Sequence, residues 1–281
     1  IEHSACRICP ARRELSMSTL KRWLAPAADR VGLLNALYRL HQWRHSRTDD
    51  PPPATDDDGV PLPSAYLMQS TVGTTDWRWF LDNGAKTAHW IADAVSDTGT
   101  PFRELERILD MGCGCGRVIR HMPALTDAEL YGVDYNPRLV KWCANNLAGV
   151  FTRNHVTPPL AFADDTFDMA YLLSVFTHLR PETQELWLDE LRRVIRPGGF
   201  VLITFHDEHH GGLQDANLTK NRLLDLGDFV FNDQLEGSNL MAAFLSIDAA
   251  RARFSKYFDV VGLTPSNQVM FRQAAAVLRA R

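Results

Sequence analysis

The densest run of chemistry-bearing residues is Ile108-Leu109-Asp110-Met111-Gly112-Cys113-Gly114-Cys115-Gly116-Arg117. An apolar run ends there in three glycines at alternate positions, and a helical pattern follows. Glycine takes positive φ without strain and lets a ligand touch the backbone. A helix starting after such a turn offers unpaired N–H groups and a partial positive charge. Strand, glycine turn and helix therefore predict a nucleotide-like ligand at the carboxyl end of the strand. The dinucleotide fingerprint requires G-x-G-x-x-G. Here the spacing is G-x-G-x-G, and Arg117 stands where the third glycine of that fingerprint would fall. Asp110 would repel a pyrophosphate but suits a cationic amino group. A second apolar run ends in Gly132-Val133-Asp134-Tyr135-Asn136-Pro137. A carboxylate at that place accepts hydrogen bonds from ribose hydroxyls.

An amino group, a ribose and no phosphate together describe S-adenosylmethionine. Displacement of its methyl needs orientation and exclusion of water. A base is needed only where the nucleophile must lose a proton. The candidates are His206, Asp207, His209 and His210, which follow a predicted strand, and His178 in Ser174-Val175-Phe176-Thr177-His178-Leu179. Cys6-x-x-Cys9 is half of a zinc site, but no second half exists. The histidines after residue 205 lack a diagnostic metal spacing, so no metal is assigned.

These groups need a scaffold. From residue 101 the pattern alternates strand and helix, with strands at 107–111, 129–134, 167–174 and 200–205. A helix is expected over 181–196, with Pro181 in its first turn and Pro197-Gly198-Gly199 as its stop. Segments 257–263 and 268–275 read as a closing antiparallel hairpin that turns at Pro265-Ser266. Such alternation predicts an α/β fold, a mostly parallel sheet with helices on both faces.

The chain has 281 residues, room for one large domain or two small ones. At 45% hydrophobic and 23% charged, it is neither disordered nor fibrous. A net charge of -4 argues against a wholly basic nucleic-acid binder. Five cysteines make no disulfide framework. No apolar run reaches the roughly 18–20 residues of a membrane span, and no secretory leader is evident, so a cytoplasmic location is expected. The net charge is an average. Residues 1–47 carry +6 and residues 48–62 carry −5. The second stretch, with Pro51, Pro52, Pro53 and Pro61, reads as an extended acidic linker over 48–63. In the first, Leu20, Leu24, Ala27, Val31, Leu34 and Tyr38 form a helix stripe. That basic helical segment would pack on its own domain, pair two copies as a homodimer, or reach an anionic partner.

Four blocks in order, 108–117, 131–137, 160–179 and 191–205, resemble the class I S-adenosylmethionine-dependent methyltransferases of the bacterial small-molecule type. The resemblance implies a Rossmann-like, mostly parallel seven-stranded sheet, helices on both faces and a C-terminal antiparallel hairpin. It implies S-adenosyl-L-methionine as cofactor. Asp110, Gly112, Cys113, Gly114 and Gly116 would cradle its methionine side. Asp134 would hold the ribose hydroxyls, with Tyr135 along the adenine and Asn136 beside it. Asn154 and His155 would meet the adenine edge, and Ser174 would lie under the methionine moiety. Val72-Gly73-Thr74-Thr75-Asp76, Phe80 and Gly84 resemble a pre-core segment of some members. Residues 64–100 would thus be a helical lid, with Tyr66, Gln69 and Trp77 near the site. Residues 101–281 would form the catalytic domain, and the insertion 207–250 would cap the acceptor pocket.

The expected activity is methyl transfer to an oxygen or nitrogen of a small molecule or glycan, with His206, His178 and Asp207 as catalytic candidates. A nucleic-acid methyltransferase using the basic arm is an alternative. It is disfavoured by Ser174-Val175-Phe176-Thr177, where base-amino methyltransferases carry Asn/Asp-Pro-Pro-aromatic. A non-catalytic cofactor-binding module is another, since fold alone does not prove activity. A nicotinamide oxidoreductase conflicts with Asp110 and with the missing third glycine.

Overall fold

The computed structural model describes residues 40, 42–210, 223–231, 236–238, 241–269 and 272–281. The chain divides into Ile1–His45 and Ser46–Arg281. Of the first unit, residues 40 and 42–45 are described, and they are helical. The stripe from Leu20 to Tyr38, the homodimer expectation that rests on it and the Cys6-x-x-Cys9 pair lie outside the described residues.

The second unit is built on strands β1 (Arg107–Met111), β2 (Glu129–Asp134), β3 (Val150–Arg153), β4 (Phe167–Leu172), β5 (Ile195–Phe205), β8 (Asp259–Thr264) and β9 (Ala274–Arg279). Their order is β3-β2-β1-β4-β5-β9-β8. The first five are parallel, β9 runs antiparallel to β5, and β8 runs antiparallel to β9. This is the Rossmann-like seven-stranded sheet with its closing hairpin. The central strands are buried on both faces, which is why β4 reads as a nearly continuous apolar run. Alternation along β1 splits the core. Leu109 and Met111 cluster with Trp187 and Leu191 of α4 (Pro181–Val194) and with Phe254 of α5 (Ile247–Phe254). Ile108 clusters with Ala88, Ile91 and Val95 of α2 (Trp77–Ser96) and with Val140 and Cys143 of α3 (Pro137–Asn146).

Several boundaries differ from the sequence expectation. β4 stops at Leu172 rather than 174, because Ser174 takes φ 59, outside strand geometry. α4 ends at Val194, since Ile195 already pairs with Phe167. The closing strands lie a few residues later than expected, and 265–273 joins them in place of a tight turn. After the glycine turn the chain forms a 3-10 helix, Ile119–Ala124, with Pro123 inside it. A proline without an N–H does not support a regular α-helix there.

The acidic stretch also differs. Over 54–62 it is folded rather than extended. Thr55 and Pro61 bridge, and the Asp56 carboxylate accepts the N–H groups of Asp58 (3.1 Å) and Val60 (2.8 Å). The Arg120 side chain, 1% exposed, pairs with Asp56 at 2.8 Å and donates to the carbonyls of Val60 and Pro61. A buried guanidinium must collect acceptors, and this loop supplies three.

Within 207–250, β6 (Asp228–Phe231) and β7 (Ala242–Leu245) form a separate antiparallel pair. It joins the main sheet where His206 bridges Phe244 and accepts the N–H of Leu245 at 2.9 Å. No helix among the described residues is long and apolar enough to cross a membrane.

Candidate active site

The glycine turn leaves the carboxyl end of β1. Gly112 and Cys113 both donate to the Val133 carbonyl, at 2.7 and 3.0 Å, which closes the turn onto β2. Gly112 and Gly114 have φ 81 and 56. A Cβ on Gly112 would lie 2.5 Å from Cγ2 of Val175, and one on Gly114 would lie 2.3 Å from Cγ2 of Thr71. Thr71 belongs to α1 (Ala65–Val72), and its hydroxyl donates to the Cys115 thiol at 3.3 Å. The helix before the core thus rests directly on the turn.

Asp134, buried at the end of β2, takes the Gly114 N–H on Oδ2 at 3.0 Å and the Asn136 N–H on Oδ1 at 2.8 Å. Each oxygen keeps a lone pair for a further donor. Burial pushes its pKa up to about 6, against the pull of the Asn136 and Gly114 amides. Asp110 is buried beside Tyr171 and Arg117. Burial raises it to about 7, with Tyr171 and then Arg117 acting the other way. The Arg117 guanidinium reaches Asn83 and Thr87 of α2, the latter at 3.2 Å. Asp110 therefore faces this internal network. The Cys113 thiol also points inward, 3.1 Å from where a Gly132 Cβ would be. A hydrogen bond with Cys143, then burial, push it well above its ordinary range. A thiol held protonated is a packing group, so Cys113 can meet a ligand only through its backbone.

On the other side of Asp134, the Asn154 N–H donates to the Asp134 carbonyl at 3.2 Å. Its side-chain amide donates to the His155 carbonyl at 3.1 Å, and its Oδ1 is buried without a partner. Tyr135 is 45% exposed. A carboxylate with spare lone pairs, an orphaned acceptor and a turn too tight for side chains fit a ribose, an adenine amino group and a close-lying ligand. S-adenosylmethionine suits these residues.

Beyond the glycine turn, β4 and β5 end in a second polar cluster. Ser174 donates its N–H to the Thr204 hydroxyl at 2.8 Å, and its own hydroxyl meets Gln273. The His206 ring stacks on His210 at 3.9 Å between centroids and lies 5.2 Å from Phe244. Burial, then His210 and His178, lower its pKa to about 3, so it is neutral. His178 donates from Nδ1 to the Met241 carbonyl at 2.7 Å, and burial lowers its pKa too. Asp207 is wholly buried and spent on protein donors. Oδ2 accepts the Ser266 N–H at 3.0 Å, while Oδ1 accepts the Ser266 hydroxyl and the His209 N–H. The structure thus brings His206 near His178 and Ser174, and it turns Asp207 to the task of holding the 265–268 segment. Gln273 and Thr204 escaped the sequence reading. The available signal was a lone glutamine heading the apolar run Ala274-Ala275-Ala276-Val277-Leu278. Among the described residues, no group of three or more His, Cys, Asp or Glu is gathered to hold a metal ion.

Comparison with known proteins bears on this geometry. Residues 109–203 match the family model described as methyltransferase domain. Sterol methyltransferase-like 2 of Botryococcus braunii is 34% identical over 104 residues, 34% of this chain and 26% of that protein. The tRNA (carboxymethyluridine(34)-5-O)-methyltransferase of Arabidopsis thaliana is 35% identical over 98 residues, 34% of this chain and 23% of that protein. The chain thus covers about a quarter of the length of these two relatives. A solved S-adenosylmethionine-dependent methyltransferase from Mesorhizobium loti shares the fold, with a TM-score of 0.53 and 12% identity over 68% of this chain and 97% of that one.

Proposed function

We propose that this chain, whose residues 109–203 match the methyltransferase-domain family model, is an S-adenosylmethionine-dependent methyltransferase that moves a methyl group to an oxygen or nitrogen of a small molecule or glycan. The observation that carries this reading is Asp134. One buried carboxylate ties the glycine turn to the end of β2 and still keeps lone pairs for a sugar diol. The orphaned Oδ1 of Asn154 lies beside it.

Bound S-adenosylmethionine supplies a methyl already activated by its sulfonium. The protein then has to bind, orient and keep out water. Asp134 holds the ribose, and Asn154 accepts from the adenine amino group. On the acceptor side, His178 is the base. Its Nδ1–H is committed to Met241, so Nε2 carries the lone pair, and its lowered pKa keeps it unprotonated at neutral pH. The β6–β7 pair walls the acceptor, and His206 faces it. Asp207 serves by fixing Ser266 rather than by moving protons.

The test is calorimetric titration with S-adenosylhomocysteine, followed by a labelled methyl-transfer screen over phenols, sugars, amines and carboxylates. Absence of binding sinks the reading. The Arabidopsis relative, named for tRNA, favours one alternative, an RNA acceptor held by the +6 arm of residues 1–47. RNA retention that falls with salt and vanishes on deleting 1–47 would select it.

A further inference from the structure

We propose that Gln273 is a positioning residue that holds His206 in the tautomer with hydrogen on Nδ1, so that His206 donates to an oxygen of the acceptor beside the methylated atom. The proposal rests on the methyl-transfer reading above and narrows its substrate class.

The argument starts from Thr204. Its hydroxyl accepts the Ser174 N–H at 2.8 Å, so its own hydrogen is free to donate, and it does so to Gln273 Oε1 at 2.7 Å. That identifies Oε1 as the acceptor end of the amide. The Nε2 end, which can only donate, lies 2.8 Å from the Ser174 hydroxyl and 3.4 Å from Nε2 of His206. An imidazole nitrogen facing an amide N–H must be a lone pair. In a neutral ring the hydrogen then sits on the other nitrogen, Nδ1. Burial keeps His206 neutral, with His210 and His178 adding to the effect.

Nδ1 is buried and has no hydrogen-bond partner. A buried N–H left unpaired costs about 1–3 kcal/mol, so native structures seldom keep one without a use. The ring is also held firmly. It stacks on His210, whose Nδ1 donates to the Arg272 carbonyl at 2.7 Å. Ser174 and Arg272 are two of three non-glycine residues with positive φ among those described, at 59 and 56. Strain of about 1–3 kcal/mol at each is maintained around this one ring, as expected at a ligand clamp.

His178 and His206 are thus the same tautomer, with hydrogen on Nδ1, but they turn opposite nitrogens to the acceptor, Nε2 of His178 and Nδ1 of His206. One offers a lone pair, the other a hydrogen. The acceptor that satisfies both has a transferable proton on the methylated atom and an oxygen lone pair next to it, as in a hydroxyl adjoining a carbonyl, carboxylate or second hydroxyl.

The decisive measurement needs neither cofactor nor acceptor. Long-range proton–nitrogen correlation on histidine-labelled protein at about pH 7.5, above the ordinary imidazole value, reads each tautomer directly. A His206→Asn variant assigns the signal. The wild type should show His206 with hydrogen on Nδ1. Gln273→Glu, which cannot donate but can accept, should reverse the tautomer, and the uncharged Gln273→Met should leave it mixed. A wild-type ring with hydrogen on Nε2, or a tautomer indifferent to both substitutions, would overturn the proposal. A methyl-transfer panel of phenols with and without a neighbouring oxygen reads the substrate class. Turnover should require that oxygen, and Gln273→Glu should raise its KM about tenfold or more, with a smaller change in kcat. Equal turnover of both halves overturns the substrate class. Failure of S-adenosylhomocysteine to bind overturns the methyl-transfer reading instead, while the tautomer remains measurable.

Discussion

Asp134 Oδ2 accepts the N–H of Gly114 at 3.0 Å, twenty residues away in the chain. The same carboxylate is therefore both a turn staple and the candidate ribose ligand. Asp134→Asn replaces one acceptor oxygen by an NH2 group facing a backbone N–H. We expect S-adenosylhomocysteine affinity to fall roughly 10–100-fold in Asp134→Asn, and further in Asp134→Ala, with the far-ultraviolet dichroism retained. Unchanged affinity in Asp134→Ala would falsify the ribose assignment.

Cofactor binding should depend on pH through the same group. Asp134 is raised from 3.8 to about 6, so between those values the fold holds a proton that the unfolded chain has lost. Ionisation inside the fold therefore withdraws stability as pH rises through that window. Ribose hydroxyls favour the ionised form, so affinity for S-adenosylhomocysteine should climb as pH passes about 6. Calorimetry from about pH 5 to 8 measures it, and a flat profile counts against the assignment. His206 has the opposite sign. Its pKa is lowered to about 3, so its contribution is present above the ordinary imidazole value and is lost on acidification.

Gly114→Ala should destabilise by about 1–3 kcal/mol, from positive φ and from contact with Thr71. Thr71→Ser removes the offending Cγ2 and keeps the hydroxyl that meets Cys115. In Gly114→Ala the second change should restore part of the loss, the steric share, in thermal denaturation. No coupling between the two sites would mean that α1 does not rest on the turn.

Arg120→Met leaves Asp56 half-buried without its partner. Burial alone would raise this carboxyl, yet the hydrogen bond from Arg120 holds it below its ordinary value. A loss of about 3–5 kcal/mol is expected in denaturant unfolding, and less in the double variant with Asp56→Ala.

His178→Asn should lower kcat about 100-fold or more, with KM for the cofactor little changed. Wild-type kcat should fall as pH drops through the His178 value, which burial places below 6.5. Retention of that acid limb in His178→Asn would assign the proton to another group.

The parallel strands were legible in the sequence because burial on both faces makes each a short apolar run between glycine or polar stops. Arg107–Met111 and Glu129–Asp134 match their expected bounds for that reason. The glycine turn and Asp134 were legible because φ and spacing are local properties. Gln273 was not. It works through Ser174, 99 residues earlier, and nothing in a connecting segment reports such a partner. The folded acidic stretch was hidden likewise, since proline and aspartate suggest an open chain until Arg120, 64 residues on, draws Asp56 in.

The union of Arg120 with residues 54–62 bears on where this protein can be divided. Arg120 lies inside the glycine-turn half of the sheet domain, yet its acceptors precede the first core helix. A cassette cut at residue 64 or 101 would carry a desolvated cation with nothing to face. The smallest transplantable module therefore begins ahead of residue 54, and chimeras joined within the acidic stretch should express poorly even though every strand and the whole glycine turn are present.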